Sequence, residues 1–322
     1  MNLKSFILLG SSLPNEYICT SGSLLDGLLH VKLSIDLGEV DVSASHILLG
    51  YKPLMIGLPF RDRKLVSWAE EKSMVRLSFR SFTLQNREIA WLELKRVGSW
   101  RMGDTTLLLY QGKRGGHEFA HVGYKWINEL YEFLRSRKAG NIHLPTRLYT
   151  QVRIAYAVPR KISLICLGNG GGYNIFPSDL HGSVGRDYYA GSLRIGSQAS
   201  GQVEGLRKIL VADINVSAYA ETYSLGQNHM DKLRSLNAFQ TSGLSKRFQL
   251  PVPRHTVSYK ELLLKDSFDS GIHRIHFYET LGEETIDTNS PRLCHIHRIY
   301  AQWAERSAIK SGILSSLASD PS

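Results

Sequence analysis

The stretch that decides the fold is residues 159–216, which read PRKISLICLGNGGGYNIFPSDLHGSVGRDYYAGSLRIGSQASGQVEGLRKILVADINV. An apolar run from Ile162 to Leu167 precedes a glycine-rich run, and a polar segment from Tyr173 to Asp179 follows it. Glycine tolerates the positive φ angles of tight turns, so this pattern predicts two antiparallel strands joined as a hairpin. Pro177 has no N–H to donate, which favours a sheet edge for the second strand.

A third predicted strand, residues 188–194, leads through a loop into a predicted helix. After the loop, Val203 and Leu206 have the spacing of one helix face. Hydroxyl groups, main-chain N–H groups and Arg194 therefore meet at the N-terminus of this helix. The helix dipole and the unpaired N–H donors favour a phosphate there, and Arg194 adds a charged donor.

This part of the chain resembles the flavin reductase family of FMN-binding split β-barrels. The resemblance extends over residues 148–300, about half of the chain. In that family, a strand resembling residues 174–178 passes the isoalloxazine ring, and a loop resembling residues 192–200 holds the FMN phosphate. The segment Gly271-Ile272-His273 resembles a Gly-x-His that lies near the flavin.

The resemblance implies a set of cofactor-binding residues. The residues implied at the ring are Asn174, Ile175, Phe176, Pro177, Ser178 and Asp179. The residues implied at the phosphate are Ser192, Leu193, Arg194, Ser197, Gln198, Ala199 and Ser200. His273 is the candidate catalytic residue, and it either contacts the ring or packs with ordinary hydrogen bonds.

The same resemblance implies an activity and its partners. The expected cofactor is FMN or FAD, NAD(P)H is the transient reductant, and the substrate is a small molecule. The expected assembly is a homodimer with flavin at the subunit interface. A second hypothesis is a flavin-binding protein without turnover, whose first domain recognises a partner.

Length and hydrophobic patterning predict two domains. The 322 residues are 43% hydrophobic and 21% charged, which is ordinary for a globular protein. We expect a mainly β protein with a few helices, with a β-rich domain at residues 1–145 that ends in a helix over 126–138. A split-barrel domain at residues 146–322 follows a linker around Pro145, so the two domains should be separable.

The number and spacing of the cysteines and the composition of the N-terminus predict the cellular compartment. Cys19, Cys166 and Cys294 are isolated and form no Cys-x-x-Cys pair, so a reducing cytoplasm is expected. Residues 1–10 imitate a signal peptide without a clear cleavage site, and we interpret them as the first strand. No apolar run approaches the ~18 residues that a membrane span requires, so no membrane partner is expected.

Positive charge is concentrated in the first domain. Residues 51–150 hold 18 lysines and arginines but only 9 aspartates and glutamates, and so supply +9 of the net charge of +10. No nucleic-acid-binding motif accompanies the charge, and we predict a solvated strand face rather than a nucleic-acid surface. The basic residues of this predicted face include Arg61, Arg63, Lys64, Arg76, Arg80, Arg87, Lys95 and Arg96.

The segment from His117 to His121 reads HEFAH and matches the zinc motif H-E-x-x-H. On a helix the two histidines would share a face and bind zinc, while Glu118 would act as general base. The preceding run KRGG places the motif at a helix entrance, and no third ligand is recognisable. We therefore predict no metal, and a zinc hydrolase is the third hypothesis.

Two further pairs of residues contain histidine: His295 with His297, and Asp179 with His181. His295 and His297 would face the same side of a strand, but no carboxylate completes a metal site at a recognisable spacing. Asp179 and His181 form either an acid–base pair or a turn stabilised by the aspartate.

Overall fold

The computed structural model describes residues 17–21, 29–36, 38–82, 84–118 and 144–306. Two seven-stranded antiparallel sheets dominate it, and we call their segments the N-half (residues 29–118) and the C-half (residues 163–285). A short strand precedes the N-half: β1 (Tyr17–Ser21). The N-half contains β2 (Leu29–Ile35), β3 (Gly38–Asp41), β4 (Ile47–Tyr51), β5 (Leu54–Phe60), α1 (Arg63–Glu71), β6 (Met74–Ser81), β7 (Glu88–Met102) and β8 (Thr105–His117).

The C-half follows a connecting helix and ends before a C-terminal helix. The elements from the connecting helix to the middle of the C-half are α2 (Thr146–Ala155), β9 (Arg160–Lys161), β10 (Ser163–Asn169), β11 (Gly172–Ser178), β12 (His181–Val184), β13 (Tyr188–Arg194), α3 (Gln198–Leu206) and β14 (Lys208–Ile214). The remaining elements are α4 (Tyr219–Ser224), β15 (Thr241–Leu244), β16 (Pro251–Pro253), β17 (Thr256–Ser270), β18 (His273–Thr285), β19 (Leu293–His297) and α5 (Arg298–Arg306), with short 3-10 turns at Val216–Ala218, Gly226–Met230 and Leu236–Ala238.

The mainly β class and the predicted hairpin are confirmed. Strands β10 and β11 pair antiparallel, and β11 lies at the edge of its sheet, where the missing N–H of Pro177 costs little. Strand β13 and helix α3 follow as the hydrophobic spacing predicts. No helix of the described residues is long and apolar enough to cross a membrane.

Three local predictions are wrong. Arg63 and Lys64 begin helix α1 rather than extending a strand, because the Asp62 carboxylate accepts the N–H of Lys64 at 2.8 Å and caps the helix. The strand that carries His295 and His297 was expected from the sequence to extend over residues 293–300, but it ends at His297, and α5 follows at once. The predicted linker is helical from Thr146 onward. The strand predicted at residues 1–10 and the helix at 126–138 lie outside the described residues.

The two halves have the same topology. With the strands of each sheet numbered in chain order, both sheets run second, first, fifth, sixth, seventh, fourth, third. Each half also places one helix, α1 or α3, between its fourth and fifth strands. The sequence shows no internal repeat, so the repeat is visible only in the fold.

The halves share an apolar core built from corresponding strands. The third, fourth, sixth and seventh strands of each half supply its side chains. The buried members are Ile47, Leu49, Met55, Met102, Leu107 and Leu109 from the N-half, and Val184, Ala190, Ile275 and Phe277 from the C-half. Two copies of one surface that meet in this way have the arrangement of a two-fold symmetric dimer, here within one chain.

Helices that follow the N-half complete its second core. Val152 and Ile154 of α2, with Tyr300 and Ala301 of α5, are buried in one cluster with strands of the N-half. A fragment that begins near residue 141 would expose these side chains together with the shared core. We therefore expect fragment 141–322 to aggregate, contrary to the separability predicted from sequence. Expression and light scattering of the fragment test this, and a soluble, folded monomer would contradict it.

Candidate functional site

Three turns lie in a row where the halves meet. In the C-half, Arg194 is the strand partner of His273, and the N–H of Ile195 donates to the carbonyl of Ile272 at 2.8 Å. The N–H of Ile272 in turn donates to the Lys52 carbonyl of the β4–β5 turn at 3.1 Å. The loop after β13, the turn before β18 and a turn of the N-half are therefore joined by main-chain hydrogen bonds.

Gly271 is a glycine because of this contact. Its φ is +60°, and an added Cβ would collide with the carbonyl oxygen of Lys52. Only glycine accepts both the backbone angle and the close approach at low cost. The glycine of the Gly-x-His segment is thus explained by the docking of the N-half.

His273 is buried at the centre of this contact. It is 2% exposed, and its ring lies edge-on to Tyr51 of the N-half with centroids 4.4 Å apart. Among the described residues, neither ring nitrogen has a hydrogen-bond partner. Burial, with the nearby positive charge of Arg194, lowers the pKa of His273 to about 4, so the ring is neutral at pH 7.

The charges of Arg194 and Asp179 both influence the pKa values of Tyr51 and His273. Burial raises the pKa of the Tyr51 hydroxyl, while Arg194 lowers it and Asp179 raises it. The same two charges shift the pKa of His273 in opposite directions. The loop after β13 and the residue after β11 therefore lie close to the same pair of rings.

The loop before α3 presents an arginine and a helix N-terminus. The Arg194 side chain is exposed and forms no ion pair with the described residues. The Ser197 hydroxyl accepts the N–H of Ser200 at 3.1 Å and so caps the helix. Gln198 is exposed, whereas Ala199 and Ser200 are buried, so at the latter two positions only the main chain can reach a ligand.

Ser192 lies apart from the loop. It is 4% exposed, its hydroxyl has no hydrogen-bond partner among the described residues, and it lines a small pocket of about 20 Å³ with Ser178 and His181. A cavity of this size holds one water molecule. The Leu193 side chain is half-buried and packs against the apolar cluster beneath α3.

The first part of β11 faces the interior. The Asn174 amide nitrogen donates to the Gln202 side chain and to the Asn228 carbonyl, both at 2.9 Å. Ile175 and Phe176 are each 1% exposed and belong to apolar clusters. At these three positions only the main chain is placed to contact a ligand, whereas Pro177, Ser178 and Asp179 line a cavity of about 190 Å³.

Asp179 does not pair with His181. Its Oδ2 accepts the Tyr156 hydroxyl at 2.8 Å and lies 3.0 Å from Nδ1 of His295. His181 instead contacts the Tyr189 hydroxyl and the Ser178 carbonyl. Burial would raise the pKa of Asp179, but hydrogen bonds from His295 and Tyr156 hold it below its ordinary value, so the group is a carboxylate.

His295 is a site residue that sequence reasoning assigned to a different pair. Strand β19 places it beside Asp179, while His297 on the same strand is 2% exposed and its pKa is lowered by burial. Asp179 and His295 are 116 positions apart in the chain, so no local spacing in the sequence predicts their contact. Only the alternation of side chains along the predicted strand indicated the direction of the His295 side chain.

His117 is the last residue of strand β8, and the helix predicted to follow it lies outside the described residues. Nδ1 of His117 lies 2.7 Å from the Tyr300 hydroxyl of α5. His121 lies outside the described residues. Within the part of the chain that the structure describes, no cluster of three or more metal-ligating side chains is found.

Several basic residues of the N-half contact neighbouring carboxylates or carbonyls. Arg76 pairs with Glu88 at 2.6 Å, and Arg80 pairs with Glu39 at 2.5 Å. The Arg96 guanidinium donates to the Glu70 carbonyl at 2.7 Å. These contacts lie on solvated faces, which agrees with the prediction that the basic residues belong to a solvated strand face.

No protein-family model matches the sequence, and no curated protein matches it. Solved structures with a similar fold include the NADH:FAD oxidoreductase SgcE6 of Streptomyces globisporus, with 11% identity, a TM-score of 0.41, and coverage of 49% of this chain and 94% of that chain. Nitrilotriacetate monooxygenase component B from Mycobacterium thermoresistibile has 14% identity and a TM-score of 0.40 over 47% of this chain and 82% of that one. An FMN-binding protein from Thermus thermophilus has 12% identity and a TM-score of 0.37 over 44% and 82%. Other structural neighbours are flavin reductases. Each of the three alignments given above spans less than half of this chain.

Proposed function

We propose that the chain binds FMN where its halves meet and catalyses NAD(P)H-dependent reduction of the flavin. The observation that carries this proposal is the row of three turns that brings Arg194, His273 and Tyr51 together. An unpaired arginine beside a helix N-terminus suits a phosphate. A neutral imidazole with no hydrogen-bond partner for either nitrogen suits the polar edge of a ring.

The residues present fit two parts of the cofactor, its phosphate and its ring. Arg194, Gln198 and the first N–H groups of α3 would hold the phosphate. Ser178 and Asp179 would position the ring, with the main chain of residues 174–176 alongside, and the buried His273 would support the site through its packing against Tyr51. When bound, the flavin supplies hydride transfer, and the protein binds and orients it. His273 is then neutral at pH 7, because a pKa of about 4 excludes the imidazolium, and its ring keeps one N–H donor and one acceptor nitrogen.

The N-half takes the place of a second subunit in this proposal. The resemblance implies a homodimer with flavin between subunits, and here Tyr51 and Lys52 approach the site from within the same chain. The repeated strand order and the shared apolar core support an internal pair. We expect one FMN per monomeric chain, measured by light scattering and FMN titration.

An absorption spectrum after reconstitution with FMN tests binding, and anaerobic addition of NADH or NADPH tests turnover. A reductase bleaches the flavin band quickly, whereas a binding protein without turnover keeps it. A protein that fails to retain FMN contradicts both hypotheses.

Replacing Arg194 with alanine should weaken FMN more than riboflavin, because only FMN carries the phosphate. The loss of a charge-assisted contact lowers FMN affinity roughly ten- to a hundredfold. The matched control is Arg186→Ala, an exposed arginine just before the other end of strand β13. Fluorescence titration measures both ligands, and equal losses for FMN and riboflavin would place the phosphate elsewhere.

A further inference from the structure

Asp179, His295 and Tyr223 form a chain of polar contacts at the apolar cavity of about 190 Å³. Nδ1 of His295 lies 3.0 Å from Oδ2 of Asp179, and its Nε2 contacts the Tyr223 hydroxyl. The carboxylate fixes the hydrogen of His295 on Nδ1, which leaves Nε2 to accept the proton of the tyrosine. A buried carboxylate, an imidazole and a hydroxyl in this order form an acid–base relay.

The relay opens on the cavity through its tyrosine. Tyr223 is 43% exposed, whereas the side chains of Asp179 and His295 are 19% and 18% exposed. Ile162, Pro177 and Gly226 provide apolar walls, and Ser178 adds a hydroxyl. Three elements distant in sequence supply the three groups: the end of β11, helix α4 and strand β19.

We propose that this relay is an acid–base site for a small neutral molecule with a phenol or carbonyl oxygen, and that Tyr223 is the residue that contacts this oxygen. When a phenol O–H gives its proton to the Tyr223 oxygen, the tyrosine proton passes to Nε2 of His295. The imidazolium that forms is stabilised by the Asp179 carboxylate, and no proton is gained or lost overall. The reverse transfer protonates an oxygen. Tyr223 is the catalytic residue, and His295 and Asp179 act through it.

The cavity favours a neutral ligand of one ring. A volume of about 190 Å³ with apolar walls suits a single aromatic or cyclic group. The Asp179 carboxylate at the cavity wall disfavours carboxylates and phosphates by charge repulsion. Ser178 and Asp179 are shared with the proposed flavin site, but the relay needs no flavin, and its test is made without FMN, so failure of flavin binding and failure of the relay are distinguished.

The probe for the test is 4-nitrophenol, whose phenolate absorbs visible light and whose phenol does not. It is added to the full chain at a pH below the ordinary pKa of the free phenol. We expect bound 4-nitrophenol to show the phenolate band in the unaltered protein. Tyr223→Phe should weaken this phenolate complex roughly ten- to a hundredfold, because a hydrogen bond to a charged group is lost.

Two further variants separate the relay from simple packing. His295→Gln keeps a hydrogen-bonding side chain but cannot take the proton, so the probe should bind as the colourless phenol. Tyr219→Phe makes the same substitution in the same segment, where Tyr219 packs near Ile162 and Leu293, and should keep the phenolate band. Absence of binding, a phenolate band retained in Tyr223→Phe, or equal losses in Tyr219→Phe and Tyr223→Phe would each overturn the proposal.

Discussion

Replacing Phe277 with alanine is expected to lower the free energy of unfolding by about 3 to 5 kcal/mol, the usual cost of deleting a buried phenylalanine ring. Phe277 is 2% exposed and stacks on Trp100 of the N-half with ring centroids 4.5 Å apart. Because the ring belongs to the core shared by both halves, its loss leaves a cavity between them. Chemical denaturation followed by tryptophan fluorescence measures the change.

The matched control for this prediction is Phe82→Ala. Phe82 is 58% exposed, so its truncation removes little buried area. We expect the unaltered chain to unfold in one transition, because the halves share side chains of one core. A loss below about 1 kcal/mol for Phe277→Ala would show that the halves do not depend on each other for stability.

The protein is expected to lose stability as the pH falls below neutrality, with His46 as a main cause. Burial and the positive charge of Arg160 lower the pKa of His46 from 6.5 to about 3. Its Nδ1 donates to the Val42 carbonyl at 2.8 Å, and its Nε2 accepts from the Arg160 guanidinium at 2.7 Å. Protonation of Nε2 would break the latter bond and place two cations together.

The direction of this pH dependence follows from whether the unfolded or the folded chain binds the proton first as the pH falls. As the pH falls, the unfolded chain takes up the proton near pH 6.5, whereas the folded chain resists it down to about pH 3. The contribution of His46 is therefore complete above pH 6.5 and is lost as the pH falls through this window, at up to about 1.4 kcal/mol per pH unit. Denaturant unfolding at a series of pH values measures the slope.

His46→Gln tests the assignment, because glutamine retains an acceptor for Arg160 but does not titrate. The variant should show a shallower dependence of unfolding free energy on pH. His276 and His273, with pKa values lowered to about 4 by burial, retain part of the slope. The comparison is His255→Asn at an exposed position, where asparagine tolerates the φ of +66°. An equal loss of slope in both variants would remove His46 as the cause.

The sequence predicts the local elements of the C-half well, because each has a short-range signal. Glycine turns and Pro177 mark the β10–β11 hairpin, and helical spacing after Ser197 marks α3. Contacts between distant segments have no such signal. The pairing of Asp179 with His295 and the docking of Lys52 against Gly271 depend on tertiary packing. Of the two alternatives that the sequence left open for Asp179 and His181, the structure does not show the acid–base pair.

The roles of the site residues remain predictions. Three of these residues have side chains that face the interior of the protein. Asn174, Ile175 and Phe176 match the resemblance by residue type, yet their side chains are occupied by the fold itself. Sequence pattern identifies the strand but not the contacts that hold its side chains. The repeat of the two halves was also hidden, since strand order is preserved while the residues at corresponding positions differ.

The fused pair also permits asymmetry that two identical subunits cannot have. Helix α1 begins after Asp62, whereas the corresponding helix α3 begins after Ser197. A carboxylate at the first position repels a phosphate, while a hydroxyl at the second does not. In a homodimer any change appears twice, whereas here the two corresponding helix starts carry different residues within one chain. One half is therefore free to act as scaffold, and under the proposed function only the C-half would hold the phosphate.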